Sequence, residues 1–208
     1  MEAPMLLSDS QIVSLAREQG MIEPFQPSLI RRADVASCGP REYETRPVLS
    51  YGCSSYGYDL RLSPKEFLIF RHIPGTIVDP KNFNPANLES VQLHKDNNGE
   101  FFILPAHSYG LGVAVEKLRM PANITGICLG KSTYARIGLI VNVTPAEASW
   151  RGYLTLEFSN SCCADVRLYV NEGICQMLFF EGESCDTTYS DRTGKYQDQD
   201  EIVTLARI

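Results

Sequence analysis

The sequence predicts an all-β fold with one N-terminal helix, and three observations carry that prediction. Short runs rich in β-branched and aromatic residues recur at Phe101 to Leu104, Tyr109 to Val115, Ile124 to Leu129, Arg167 to Val170 and Ile174 to Phe180, separated by Pro105, Pro121 and polar turns. The run Leu154-Thr155-Leu156-Glu157-Phe158 alternates strictly, so Leu154, Leu156 and Phe158 share one face of a strand while Thr155 and Glu157 share the other. Helical signals are few and concentrate near the N-terminus.

In chain order, Ser8 reads as a helix N-cap, with Gln11 three residues on and Leu7 able to staple against Ile12. The helix should run to about Gln19 and stop at Gly20. From Pro24 to Pro47, including Cys38-Gly39-Pro40, turn formers and alternating charge predict irregular chain. Ser50 to Leu62 reads as a loop entering a strand, with Asp59 and Arg61 either at a subunit contact or forming a structural turn pair. Phe67 to Phe70 is a short strand, Ile77-Val78-Asp79-Pro80 opens a turn-rich passage, and Lys95 to Glu100 is a charged hairpin tip. Ile137 to Val143 is an apolar run that predicts a buried strand, and Asn171-Glu172-Gly173 is the turn between the last two strands.

The 208 residues fit one domain, 1–208, large enough to bury a core without staples. A net charge of -6, with no block of Lys or Arg, argues against a nucleic-acid partner. Seven cysteines with no C-x-x-C pair read as free thiols, with Cys128 and Cys175 inside apolar runs, which suits a reducing cytoplasm. No stretch approaches the ~18 apolar residues that span a bilayer, and no export signal opens the chain, so a cytoplasmic protein without a membrane partner is expected.

The polar cluster Lys131, Ser132, Thr133 and Arg136 supplies two cations and two hydroxyls next to the apolar run, a composition able to hold an anion. The surrounding words are Gly130-Lys131-Ser132-Thr133-Tyr134-Ala135-Arg136, Val141-Asn142-Val143-Thr144-Pro145 and Thr155-Leu156-Glu157-Phe158-Ser159-Asn160. With Gly20 to Phe25, Ser50 to Asp59, Val78 to Phe83 and Asp191 to Gln197, they resemble the dCTP deaminases of the dUTPase-like superfamily over nearly the whole chain. The resemblance implies the distorted β-barrel, or β-clip, of that superfamily, a homotrimer with sites between subunits, and hydrolysis of dCTP to dUTP and ammonia.

The resemblance also implies site residues. Glu157 would be general base and then acid, a role that favours a pKa raised by partial burial. Ser132 and Arg136, on one face of a helical turn, would sit beside it, and Lys131 to Arg136, with Tyr134 and Ala135, would form the nucleotide-binding run. Thr155 and Leu156 flank the carboxylate as substrate contacts. Gln176 would contact base or sugar, or else be an ordinary buried amide. Tyr189, Lys195 and Gln199 would belong to an arm, about 189–208, that closes over the nucleotide, hinged at Gly194 and ordered by the triphosphate.

Other chemistries fit less well. A P-loop would need Gly where Thr125 stands. The zinc deaminase signature, H-x-E followed by P-C-x-x-C, has no counterpart around His72, His94 or His107, so no zinc or other protein-bound metal is expected, and Mg²⁺ would ride on the triphosphate. A dUTPase would carry an Asp in the region Thr144 to Gly152, where Glu147 is the sole carboxylate. Two alternatives remain at this level, a bifunctional enzyme that releases dUMP and a nucleotide-binding regulatory trimer without catalysis.

Overall fold

The computed structural model describes residues 5–34 and 45–207. The chain opens with β1 (Met5–Leu6), α1 (Asp9–Gln19), β2 (Ile22–Glu23), β3 (Ile30–Asp34), β4 (Thr45–Ser54) and β5 (Gly57–Phe70). A 3₁₀ turn, Pro85–Asn87, leads into β6 (Leu88–Ser90), β7 (His94–Asp96), β8 (Gly99–Leu104), β9 (Tyr109–Arg119) and β10 (Ile124–Gly130). The short helix α2 (Ser132–Ala135) precedes β11 (Leu139–Asn142), β12 (Arg151–Asn160), β13 (Val166–Tyr169) and β14 (Gly173–Glu181).

Helix α1 begins and ends where its sequence requires. Ser8 is the N-cap and its backbone N–H donates to Gln11 Oε1 at 3.0 Å. Gly20 closes the helix at φ 65, a left-handed turn that glycine takes without Cβ strain. Leu7 and Ile12 are both buried, as the staple predicts.

The strands form two antiparallel sheets. The larger, eleven strands among the described residues, runs β1-β14-β5-β9-β12-β11, with β10 added on β14, β2 on β9, β4 and β6 on β5, and β3 on β4. The smaller runs β13-β8-β7. Apolar faces of both meet in one core, where the Phe67 ring stacks on Phe102 at 5.2 Å and tilts against Phe158 at 5.6 Å. The charged hairpin tip expected at Lys95 to Glu100 is the turn between β7 and β8.

Several expectations need correction. The described part of Pro24 to Pro47 is not irregular throughout, because β3 pairs with β4 in the register Arg32↔Pro47 and Asp34↔Thr45. Cys38-Gly39-Pro40 lies outside the described residues. Ser50 to Leu62 is a hairpin rather than a loop entering a strand, with β4 turning into β5 across Ser55 and Tyr56 and pairing Ser54↔Gly57. Asp59 and Arg61 consequently lie within β5, not in a turn. Phe67 to Phe70 is the far half of that same strand, bent by a bulge between Leu62 and Phe67. The apolar run Ile137 to Val143 yields only β11, whose Leu139 and Val141 are buried while Ile137 and Ile140 remain 49% and 56% exposed. As the terminal strand of the sheet path, β11 has one covered face, so its residues alternate.

Asn171-Glu172-Gly173 does join the last two strands, but they belong to different sheets, so it forms a corner rather than a hairpin. Glu172 holds that corner, accepting Arg46 Nη1 at 2.6 Å and the Leu49 backbone N–H at 2.8 Å. Gly173 sits so close to β4 that a Cβ on it would lie 1.8 Å from the Ser50 carbonyl oxygen. Gly173→Ala should therefore force β4 from the corner and destabilise the fold by ~2 kcal/mol or more, measured by urea denaturation. A variant as stable as the parent would contradict the packing of this corner.

Candidate active site

Strand β12 places the carboxylate. Leu154, Leu156 and Phe158 point into the core at 6%, 0% and 0% exposure, which turns Thr155 and Glu157 to the opposite side. Glu157 sits between two neighbours, opposite Leu111 on β9 and Asn142 on β11. It opens into a cavity of about 640 Å³ whose walls include Phe70, Phe83, Tyr109, Trp150, Tyr189 and Tyr196. Polar groups on the same wall are Thr144, Glu147, Thr155, Lys195, Gln199 and Thr204. Phe70 meets Phe83 and Tyr109 edge-on, with centroids 6.1 and 5.8 Å apart, so the aromatic wall is itself packed.

Glu157 Oε2 is the one buried side-chain polar atom among the described residues that lacks a hydrogen-bond partner. Burial in this wall pushes the carboxyl pKa up to about 7, offset only in part by its own backbone N–H. The same burial raises the Tyr109 phenol, and the Glu157 charge adds to that shift. A carboxyl that changes protonation near neutrality can both take and return a proton, provided that substrate or water occupies the cavity.

The arm closes one side of this cavity. Tyr189 donates its backbone N–H to the Ala148 carbonyl at 3.0 Å, and its hydroxyl accepts the Tyr196 N–H at 3.0 Å. Trp150 Nε1 donates to the Tyr196 carbonyl at 2.8 Å. Arg192 pairs with Glu147, and Arg151 pairs with Asp198. Lys195 donates Nζ to the Arg207 carbonyl at 2.9 Å. Tyr189, Lys195 and Gln199, all expected in the arm, line the cavity together. Gly194 packs against the Tyr189 ring, so closely that a Cβ there would lie 2.0 Å from Tyr189 Cε1.

The polar cluster lies elsewhere. Lys131 to Arg136 are absent from the lining of the Glu157 cavity, so within one chain Ser132 and Arg136 do not stand beside the carboxylate. Lys131 is committed to an ion pair with Asp59, a group only 6% exposed. Gln176 donates Nε2 to Asp59 Oδ1 at 3.0 Å, so its amide has a protein partner and is not aimed at the cavity. Arg136 Nη1 donates to the Ser132 carbonyl at 2.8 Å, and Ser132, Thr133, Ala135 and Arg136 are exposed. Tyr134 is buried, its hydroxyl accepting the Tyr169 N–H at 2.9 Å, and Leu156 is in the core, so neither side chain lines the Glu157 cavity. Sequence reasoning missed Phe70, Phe83, Tyr109, Trp150 and Tyr196, which come from separate segments that no linear pattern joins.

Comparison with known proteins follows the same lines. A family model described as dCTP deaminase-like matches residues 6–182. The dCTP deaminase of Neisseria meningitidis serogroup A is 49% identical over 193 residues, covering 92% of this chain and 94% of that protein. The dCTP deaminase of Polaromonas sp. is 48% identical over 201 residues, covering 96% and 97%. Among solved structures, the 2'-deoxycytidine 5'-triphosphate deaminase from Agrobacterium tumefaciens aligns with a TM-score of 0.51 at 15% identity, covering 87% of this chain and 49% of that one, a likeness of fold.

The Glu157 environment has a consequence for stability. A carboxyl whose folded pKa is raised above its unfolded value is stabilising when protonated, and the folded state loses that stability as pH rises from about 4.5 to about 7. Glu157→Gln should therefore melt higher than the parent at pH 8, by ~3–8 °C for a domain of this size, with the difference vanishing below about pH 4. Equal melting temperatures at both pH values would show that Glu157 is solvated.

Proposed function

The chain belongs to the dCTP deaminase-like family, and on that premise we propose that it converts dCTP and water to dUTP and ammonia through acid–base catalysis by Glu157. The observation that carries the mechanism is the partnerless, buried Glu157 oxygen in an aromatic-walled cavity, with a pKa of about 7. The ionised carboxylate takes a proton from water as its oxygen attacks C4 of cytosine, and that proton goes to N3 of the ring. The carboxylate next takes the C4 hydroxyl proton of the tetrahedral adduct and passes it to the amine as the C4–N4 bond breaks, so ammonia departs and a carbonyl remains at C4. Glu157 ends the cycle in its starting state.

The missing cations support a site completed by another copy. Ser132, Thr133 and Arg136 are exposed and lie outside the cavity of their own chain. Beside them in sequence stand Ile127, Leu129, Ile137 and Ile140, all large apolar groups at least 40% exposed. In a homotrimer these residues would be covered, and Ser132 and Arg136 would face the Glu157 of a neighbour, the hydroxyl orienting the water and the guanidinium binding phosphate. Lys131 has a different part in this reading, supporting α2 through Asp59. Mg²⁺ enters as part of the nucleotide, on its triphosphate, and the residues expected of a zinc deaminase are missing from the sequence.

The test is incubation of chelator-treated protein with dCTP and Mg²⁺, following ammonia, dUTP, dUMP and pyrophosphate. Ammonia and dUTP should appear in equal amounts, and Glu157→Gln should lower kcat by ~10³-fold or more. Pyrophosphate and dUMP formed in step with ammonia would replace this reading with the bifunctional one. A folded protein that dCTP stabilises but that releases no ammonia would be a regulatory nucleotide binder.

A further inference from the structure

One hydroxyl beside Glu157 spends its hydrogen-bonding capacity on the arm. Thr155 lies two residues before Glu157 on the same face of β12 and lines the same cavity. Its Oγ1 accepts the backbone N–H of Thr204 at 3.0 Å and lies 3.2 Å from Gln199 Oε1. The Thr204 N–H can only donate, so the hydroxyl proton remains for Gln199, whose amide oxygen can only accept. A flipped amide would set its NH₂ against the hydroxyl and leave the hydroxyl proton without an acceptor.

The backbone of Gln199 is fixed independently. The Tyr153 N–H donates to its carbonyl at 3.0 Å. Gly152, at φ 142, lets the strand approach so closely that a Cβ there would lie 2.7 Å from Gln199 N. With backbone and amide oxygen both tied to β12, the remaining group is Nε2, which has no acceptor among the described residues.

We infer that Thr155 is a positioning residue: its hydroxyl turns the Gln199 amide so that the NH₂ group faces the cavity as a donor and selects an acceptor oxygen of the nucleotide, on phosphate or on base. This rests on the deaminase reading and adds to it a device for binding rather than for proton transfer. Because the same hydroxyl holds Thr204, two points of the arm are read by one side chain of the catalytic strand.

Thr155→Val keeps the β-branched shape and removes the hydroxyl, whereas Thr155→Ser keeps the hydroxyl. Thr155→Val should raise KM for dCTP ~5–20-fold while kcat stays within ~2-fold, and Thr155→Ser should stay within ~3-fold of the parent in both. In a Gln199→Leu background, Thr155→Val should lose most of its penalty, keeping only what release of Thr204 adds. Binding is measured separately in a Glu157→Gln background through the fluorescence of Trp150, the one tryptophan in the sequence, which lines the cavity. A penalty seen with dCTP and lost with dCMP assigns the acceptor to the outer phosphates; an equal penalty with both assigns it to the base or inner phosphate. The inference is overturned if Thr155→Val matches the parent, if Thr155→Ser is as impaired as Thr155→Val, or if the penalty persists in full without Gln199. A parent protein that binds dCTP without releasing ammonia would overturn the deaminase reading instead, and the binding measurement would still decide the role of Thr155.

Discussion

The character of the cavity depends on the desolvation of one carboxylate. Glu157 stands on a central strand with an oxygen that no protein group satisfies, in a wall of aromatic rings. Such a group costs stability, and it persists because the other face of the same strand binds it firmly to the core. Leu156 and Phe158, fully buried, hold β12 against Phe67 and Phe102, and a strand anchored on one face has no freedom to turn its other face to water. The result is a carboxyl poised near pH 7 by its environment rather than by a partner.

The arm is the second consequence of that strand. Residues 150 to 155 offer a series of fixed attachments: the Trp150 indole for the Tyr196 carbonyl, Arg151 for Asp198, the Tyr153 N–H for the Gln199 carbonyl, and Thr155 for Gln199 and Thr204. The strand that carries Glu157 thus also holds the arm residues that line its cavity. Exposed pairs such as Arg151 with Asp198 contribute little individually, about 0–1 kcal/mol, so the arm is held by many weak contacts that can be released and remade. That is the mechanical character expected of a closing segment.

What was legible in the sequence was local. The capping pattern of Ser8, Gln11 and Gly20 fixes a helix through bonds within a few residues, and the alternation of β12 fixes the direction of Glu157 without knowledge of its neighbours. Resemblance to the dCTP deaminases located the arm residues Tyr189, Lys195 and Gln199 on the cavity wall. Long-range pairing was not legible. The ion pair of Lys131, read as part of an anion-holding cluster, was hidden because Asp59 is far away in sequence, and the partner of the Gln176 amide was hidden for the same reason. Ile137 and Ile140 looked buried because an apolar run does not say whether a strand is central or terminal. The aromatic wall was missed since Phe70, Phe83, Tyr109, Trp150 and Tyr196 meet only after the sheet has closed.

The most direct measurement is the titration of Glu157 itself, by infrared difference spectroscopy of its carboxyl C=O band, identified as the band that Glu157→Gln removes. The midpoint should lie near pH 7, set by burial. A midpoint near 4.5, the value of an ordinary glutamate, would mean that water reaches the carboxylate and that the cavity does not tune it.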